Sequence, residues 1–273
     1  MAAVAERIDT PVTELRASVF TVPTDAHESD GTLEWDETTL VLVEVEAGGE
    51  TGIGWTYGAA AAARVVEDEL AAVVSGLSAL DVRGAQLAMR RRLRNAGYPG
   101  IGAAAVSAVD IALWDLKAKL LGVPLVTLLG GIHDEVPVYG SGGFCSYTDE
   151  QLARQLAGWV DDGIPRVKMK VGREPGRDLE RVRVARLAIG DDAELYVDAN
   201  GAFNPERALR CADAYASWGV TWFEEPVSSA DFEGLRMLLD GFLEPAGGTL
   251  RPDRSRPGLG VEFKRADAER YAA

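Results

Sequence analysis

The sequence predicts an α/β chain in two parts, an α+β module followed by an incomplete, four-unit barrel of the (β/α) type. Two observations carry this expectation. Early in the chain, "TTLVLVEVEAGGETGIGWTYG" sets Val41, Val43 and Val45 against Leu42, Glu44 and Glu46 and turns at Gly48-Gly49, a hairpin pattern, and helical patterns follow it. From Val136 onward strand and helix patterns alternate instead, as parallel strands joined by right-handed crossovers do. The expected boundaries are 1–133 for the α+β module, 134–240 for the half barrel and 241–273 for a Pro/Gly-rich C-terminal segment.

Each element has a local reason. Ala59 to Ser75 reads as a helix with Gly76 at its end, and Asp81 is the N-cap of a second. A third, from about Gly102 to Leu121, places Val106, Val109, Leu113, Leu116 and Leu120 on one face, and Gly122 with Pro124 stops it. "VPVYGSG" is a short strand, after which Thr148 and Gln151 form a capping box. "RVKMKVG" is the second strand, with a helix from Asp178 to Ile189 closed by Gly190. "ELYVDANG" is the third; Asn204 caps its helix, Pro205 takes the first position, and the helix runs to Trp218 before Gly219. "TWFEEP" is the fourth strand, with a helix starting near Ala230.

Composition narrows the function. A net charge of −15 repels nucleic acid and anionic membrane surfaces, so neither is an expected partner. Cys145 and Cys211 lie far apart with no CxxC, which suits two buried thiols in a reducing, cytoplasmic compartment. The N-terminus carries Glu6, Arg7 and Asp9 and reads as neither signal peptide nor membrane span.

Lys168 and Lys170 are two apart on a strand, so both ammonium groups project from one face and Met169 from the other. Two like charges so close should lower at least one lysine pKa, toward the range where a neutral amine acts as base. A KxK strand by itself is a solvated face; inside a parallel α/β pattern both faces tend to be covered. Asp198 and Glu224 end the next two strands, and the C-terminal strand ends of a (β/α) barrel are where active sites are built. Two hard oxygen ligands beside an amine suit Mg²⁺.

At these residues the chain resembles the mandelate racemase and muconate lactonizing branch of the enolase superfamily. The motifs are "KMK" (Lys168, Lys170), "DAN" (Asp198, Asn200) and "EEP" (Glu224, Glu225), with "ALWDLKAKLLGVPLVTLLGG" from Ala112 to Gly131 and "RPGLG" from Arg256 to Gly260. The resemblance implies that the α+β module is a capping domain. It also implies Mg²⁺-assisted removal of the proton α to a carboxylate through an enediolate, as in acid-sugar dehydratases and racemases. By the same resemblance Lys170 is the base, Lys168 its electrostatic partner, and Asp198 and Glu224 metal ligands, with Asn200 and Glu225 beside them. The cap loops "PTDAHESDGTLEWD" and "GWTYG" would close over a small carboxylate substrate, and Tyr57 is a candidate contact.

The family pattern also needs a third carboxylate on a fifth strand and a second acid/base on a sixth or seventh. Here "DGFLEPAGG" follows the fourth unit at once, as an internal deletion of the second barrel half would leave it. The histidines, His27 and His133, both precede the lysine pair. Racemisation, which needs groups on both faces of the enediolate, is therefore disfavoured against a single-base dehydration. A half barrel would expose "TWFEEP" as an edge strand over an open apolar interior, which a homo-oligomer could hide. The alternative readings are a non-catalytic, internally deleted relative and a Schiff-base lysine enzyme using Lys170.

Overall fold

The computed structural model describes residues 10–133, 135–240 and 262–263. The chain divides into two compact units, residues 1–25 with 36–136, and residues 26–35 with 137–273.

In the first unit the strands β1 (Glu14–Ser29), β2 (Glu34–Ala47) and β3 (Glu50–Tyr57) form one sheet in that order. The turn between β2 and β3 uses Gly48 and Gly49 at φ 59° and 83°, the left-handed pair that a tight hairpin requires. Val41, Val43 and Val45 are fully buried, as their alternation predicts. The expected single helix from Ala59 to Ser75 is three segments: α1 (Ala61–Val65), a π-helical turn (Val66–Leu70) and α2 (Ala71–Val74). Next come α3 (Val82–Arg92), whose Asp81 carboxylate accepts from the Gly84 amide at 3.0 Å, α4 (Ile101–Leu120) and α5 (Leu125–Leu129). Helix α4 lies directly on β3. A Cβ at Gly52 or Gly54 would fall 2.2 Å from the carbonyl oxygens of Ala112 and Ala108, so only glycine lets the two backbones approach. "GWTYG" is thus mostly strand β3 rather than a loop.

"PTDAHESDGTLEWD" is also not a loop, because β1 runs to Ser29 and β2 begins at Glu34. The turn between them is held by Asp30, whose Oδ1 accepts from the amides of Thr32 (2.6 Å) and Leu33 (2.7 Å). This tip clusters with the second unit.

The second unit is a four-stranded parallel sheet in the order β4 (Gly140–Ser141), β5 (Arg166–Lys170), β6 (Glu194–Asp198) and β7 (Val220–Glu224). Its helices are α6 (Asp149–Asp161), α7 (Asp178–Ile189), α8 (Pro205–Ala216) and α9 (Phe232–Leu238). A short antiparallel pair, β8 (Leu239–Asp240) with β9 (Glu262–Phe263), follows. The expected strand at "VPVYGSG" shrinks to two paired residues, and Val136 and Val138 stay exposed. Val167, Met169, Leu195 and Val197 point from the sheet into the helix layer, where they meet Leu152, Leu156, Val182 and Leu209. Full burial of each such side chain contributes roughly 1.5–3 kcal/mol. Both cysteines are free, and they are partly buried where buried thiols were expected. Among the described residues no helix is long and apolar enough to cross a membrane. "RPGLG" and nearly all of the 241–273 segment lie outside the described residues.

Gly31, at the hairpin tip, rests on the ends of β5 and β6. A Cβ there would sit 2.3 Å from the Ala199 carbonyl oxygen and 2.7 Å from that of Val171, both backbone atoms that cannot swing away. Gly31→Ala is therefore expected to cost about 1–3 kcal/mol in urea denaturation. Gly158→Ala, on α6 with open space around it, is expected to be neutral or to stabilise by about 0.5–1 kcal/mol.

Candidate active site

Strand alternation gives β5 two different faces. Val167 and Met169 enter the core, while Arg166, Lys168 and Lys170 line the opposite side. The parallel register then sets Lys170 level with Asp198 and Asp198 level with Glu224. The charges consequently interdigitate. Lys170 Nζ donates to Asp198 Oδ2 at 2.7 Å, and Lys168 Nζ lies 3.3 Å from the same oxygen and 2.8 Å from Glu224 Oε2. Asp198 is 2% exposed and Lys168 5%, so this charge is largely withdrawn from water. Lys168 also sits over the Tyr139 ring at 5.2 Å, and Trp222 Nε1 donates to Glu224 Oε2 at 3.3 Å.

The expected lowering of a lysine pKa is not what this geometry produces at Lys168. Burial does push it down, but the hydrogen bond that Lys168 donates to Glu224 and the charges of Asp198 and Glu224 outweigh burial, and the net shift is upward. The reason is tertiary. Periodicity places the two lysines together, whereas the sheet register sets Asp198 level with Lys170 and brings both Asp198 and Glu224 within reach of Lys168.

Asn200 and Glu225 carry the two left-handed non-glycine backbones among the described residues, at φ 49° and 43°. The Asn200 amide donates to Asp198 Oδ1 at 2.9 Å, its side-chain nitrogen lies 3.4 Å from Glu225 Oε2, and its Oδ1 is buried with no hydrogen-bond partner. Tyr57 ends β3 in the first unit and is exposed. His27 belongs to the β1 hairpin, where its carbonyl accepts from Ser146 Oγ at 2.8 Å.

The sequence reading missed the rest of this face. Pro137, Val138, Tyr139, Arg166, Glu194, Tyr196 and Trp222 join Glu224 around an open cavity of about 700 Å³. Extending the KxK spacing backward by one step would have found Arg166. The cavity wall is largely apolar, through Pro137, Val138, Tyr139, Tyr196 and Trp222, but it also carries polar pairs that the expectation of an apolar interior did not include: Arg166 with Glu194 at 3.1 Å, and Tyr196, which donates to Glu194 at 2.8 Å. Trp222, on the edge strand β7, is exposed as anticipated.

Behind the lysine row, Asp178 is buried and accepts from the Gly172 amide at 2.9 Å. Burial raises its pKa to about 6 against a lowering by that hydrogen bond. The folded state thus binds the proton more tightly than the unfolded chain does. Stability from this group is present below about pH 4 and is lost as pH rises to about 6, by up to about 3 kcal/mol. Denaturation midpoints measured across this window in wild type and Asp178→Asn isolate the contribution: the stability of the wild type relative to the variant should fall as pH rises from about 4 to about 6.

The two carboxylates of Asp198 and Glu224, on adjacent strand ends and already engaging positive charge, fit a hard divalent cation such as Mg²⁺, which leaves its remaining positions to water and substrate oxygens. Among the described residues no group of three or more His, Cys, Asp or Glu joins into a metal cluster.

Comparison with known proteins matches residues 16–130 to the mandelate racemase / muconate lactonizing enzyme N-terminal domain and residues 151–241 to the enolase C-terminal domain-like family. The chain belongs to the mandelate racemase / muconate lactonizing enzyme family of the enolase superfamily. A solved relative, a mandelate racemase/muconate lactonizing enzyme-like protein from Rubrobacter xylanophilus, is 43% identical at a TM-score of 0.81, with 96% of this chain and 100% of that one covered. The 3,6-anhydro-α-L-galactonate cycloisomerase of Streptomyces coelicolor is 35% identical over 230 residues, 82% of this family member and 64% of the cycloisomerase. The L-talarate/galactarate dehydratase of Salmonella typhimurium LT2, crystallised with Mg and L-lyxarohydroxamate, is 27% identical at a TM-score of 0.77, with 86% of this chain and 63% of the dehydratase covered. The chain thus spans slightly under two thirds of the length of these two enzymes.

Proposed function

We propose that this family member removes the proton α to the carboxylate of a small acid-sugar-type substrate, with Lys170 as base. Asp198 and Glu224 would hold Mg²⁺, which when bound supplies a Lewis acid for the substrate's carboxylate oxygens. The observation that carries the reading is the buried ladder in which Lys168 bridges Asp198 and Glu224 while Lys170 contacts Asp198. Lys168 keeps its charge there and offsets the negative charge that develops as the C–H bond breaks. Both lysines project from one face of β5, which favours a one-base elimination over racemisation. Lys170 Nζ takes the α proton and returns it to the departing β-hydroxyl, so that water leaves as the double bond forms. Asn200 and Glu225 would fix the Asp198 carboxylate.

Incubation with galactarate and related acid sugars in D₂O with Mg²⁺ tests this. Deuterium should appear at the α carbon, or the dehydrated product should form, and titration calorimetry should show Mg²⁺ binding. Neither exchange nor binding would favour the non-catalytic relative. A borohydride-trapped lysine adduct would favour a Schiff base instead.

A further inference from the structure

The backbone that carries Lys170 is held from behind by two buried ionisable residues which the chemistry above does not use. The Lys170 amide donates to the Gly143 carbonyl at 3.0 Å. That same oxygen accepts from Arg181 Nη2 at 3.3 Å, and Arg181 also donates to the carbonyls of Phe144 and Tyr147, each at 2.8 Å. The Gly143 amide is taken by Gln155 Oε1 at 2.8 Å. Gly143 itself is at φ 57°, and a Cβ on it would lie 2.6 Å from Met169 Cβ, so only glycine fits there. Three residues before Arg181, and so on the same side of α7, Asp178 holds the Gly172 amide, two residues beyond Lys170. Arg181 is 4% exposed and Asp178 2%. Burying two ionisable groups is costly, and apolar side chains could have packed this helix face without that cost.

We infer that Asp178 and Arg181 are positioning residues for Lys170, gripping the strand end on either side of it. The inference rests on the reading of Lys170 as the base. A side chain on a strand end follows its peptide, and displacement of a catalytic group by about 1 Å costs on the order of 10²-fold in rate.

Amide hydrogen exchange, read residue by residue, tests the clamp without requiring activity. In Arg181→Met the Lys170 amide should exchange about tenfold faster or more, while the core amides of Leu156 and Val197 keep their wild-type rates. Arg181→Lys, which retains charge but loses the fork of donors, should fall between the two and serves if the methionine variant does not fold. Asp178→Asn keeps an acceptor for Gly172 and should protect Lys170 as the wild type does. Unchanged Lys170 exchange in both Arg181 variants, or equal acceleration at Leu156, Val197 and Lys170, overturns the inference. With deuterium incorporation as the assay, Arg181→Met should lower kcat on the order of 10²-fold with KM altered by no more than about twofold. Absence of incorporation in wild-type protein would sink the proposed function, and the amide rates would still decide the clamp.

Discussion

Lys170→Ala is expected to slow α-proton exchange by about 10²–10⁴-fold, the range that a positioned general base contributes. The measurement is deuterium incorporation by proton NMR at saturating Mg²⁺, with unchanged circular dichroism as the check on folding. The fold should survive because Asp198 keeps a second cation, Lys168, at 3.3 Å after Lys170 is gone. Lys168→Ala should behave differently. It removes the ammonium shared by Asp198 and Glu224 and leaves two acidic groups facing each other, one of them almost fully buried. A rate loss without a stability loss at Lys170, and both together at Lys168, is the expected contrast. Equal exchange rates in wild type and Lys170→Ala would remove Lys170 from the mechanism.

Arg186→Ala is expected to cause a large loss of stability, about 3–5 kcal/mol in urea or thermal unfolding. Arg186 is 8% exposed on α7, and its guanidinium donates to four carbonyls: Trp218 at 2.9 Å, Gly190 at 2.8 Å, Ala193 at 2.6 Å and Gly219 at 3.0 Å. These carbonyls belong to the turns before β6 and β7, so one side chain ties two successive units together. Burial lowers its pKa, yet the group stays charged, and its fork of donors meets all four acceptors at once. Arg186→Lys should recover only part of the loss, since a single ammonium cannot span all four. A change below about 1 kcal/mol for Arg186→Ala would show that water satisfies these carbonyls as well as arginine does.

Much of the second unit was legible because its signals are local. Thr148 with Gln151, Asn204 with Pro205, and Gly190 at φ 76° each act within a few residues, and the helices they bound sit within a residue or two of expectation. Alternation likewise separated Met169 from the two lysines. The failures came where distant backbone decides. "PTDAHESDGTLEWD" is rich in polar and turn-forming residues, but pairing across the hairpin and the Asp30 turn make most of it strand. "GWTYG" became strand because its glycine admits α4 at close range. Arg181 and Arg186 gave no sign in sequence, since an arginine on an amphipathic helix looks solvent-facing until the loops that need its donors are placed around it.

By itself the sequence determined the order of the elements, the family motifs and the identity of the lysine and carboxylate row. These depend on periodicity, capping and turn chemistry, which act over a few residues. Only the tertiary structure decided that the two lysines share Asp198 on the next strand while Lys168 also reaches Glu224 one strand further, that Lys168 is held charged, and that Gly143, Gly172 and Gly31 lock the strand ends. Those outcomes depend on sheet register and on backbone approach between segments far apart in the chain, and neither is encoded in any local pattern.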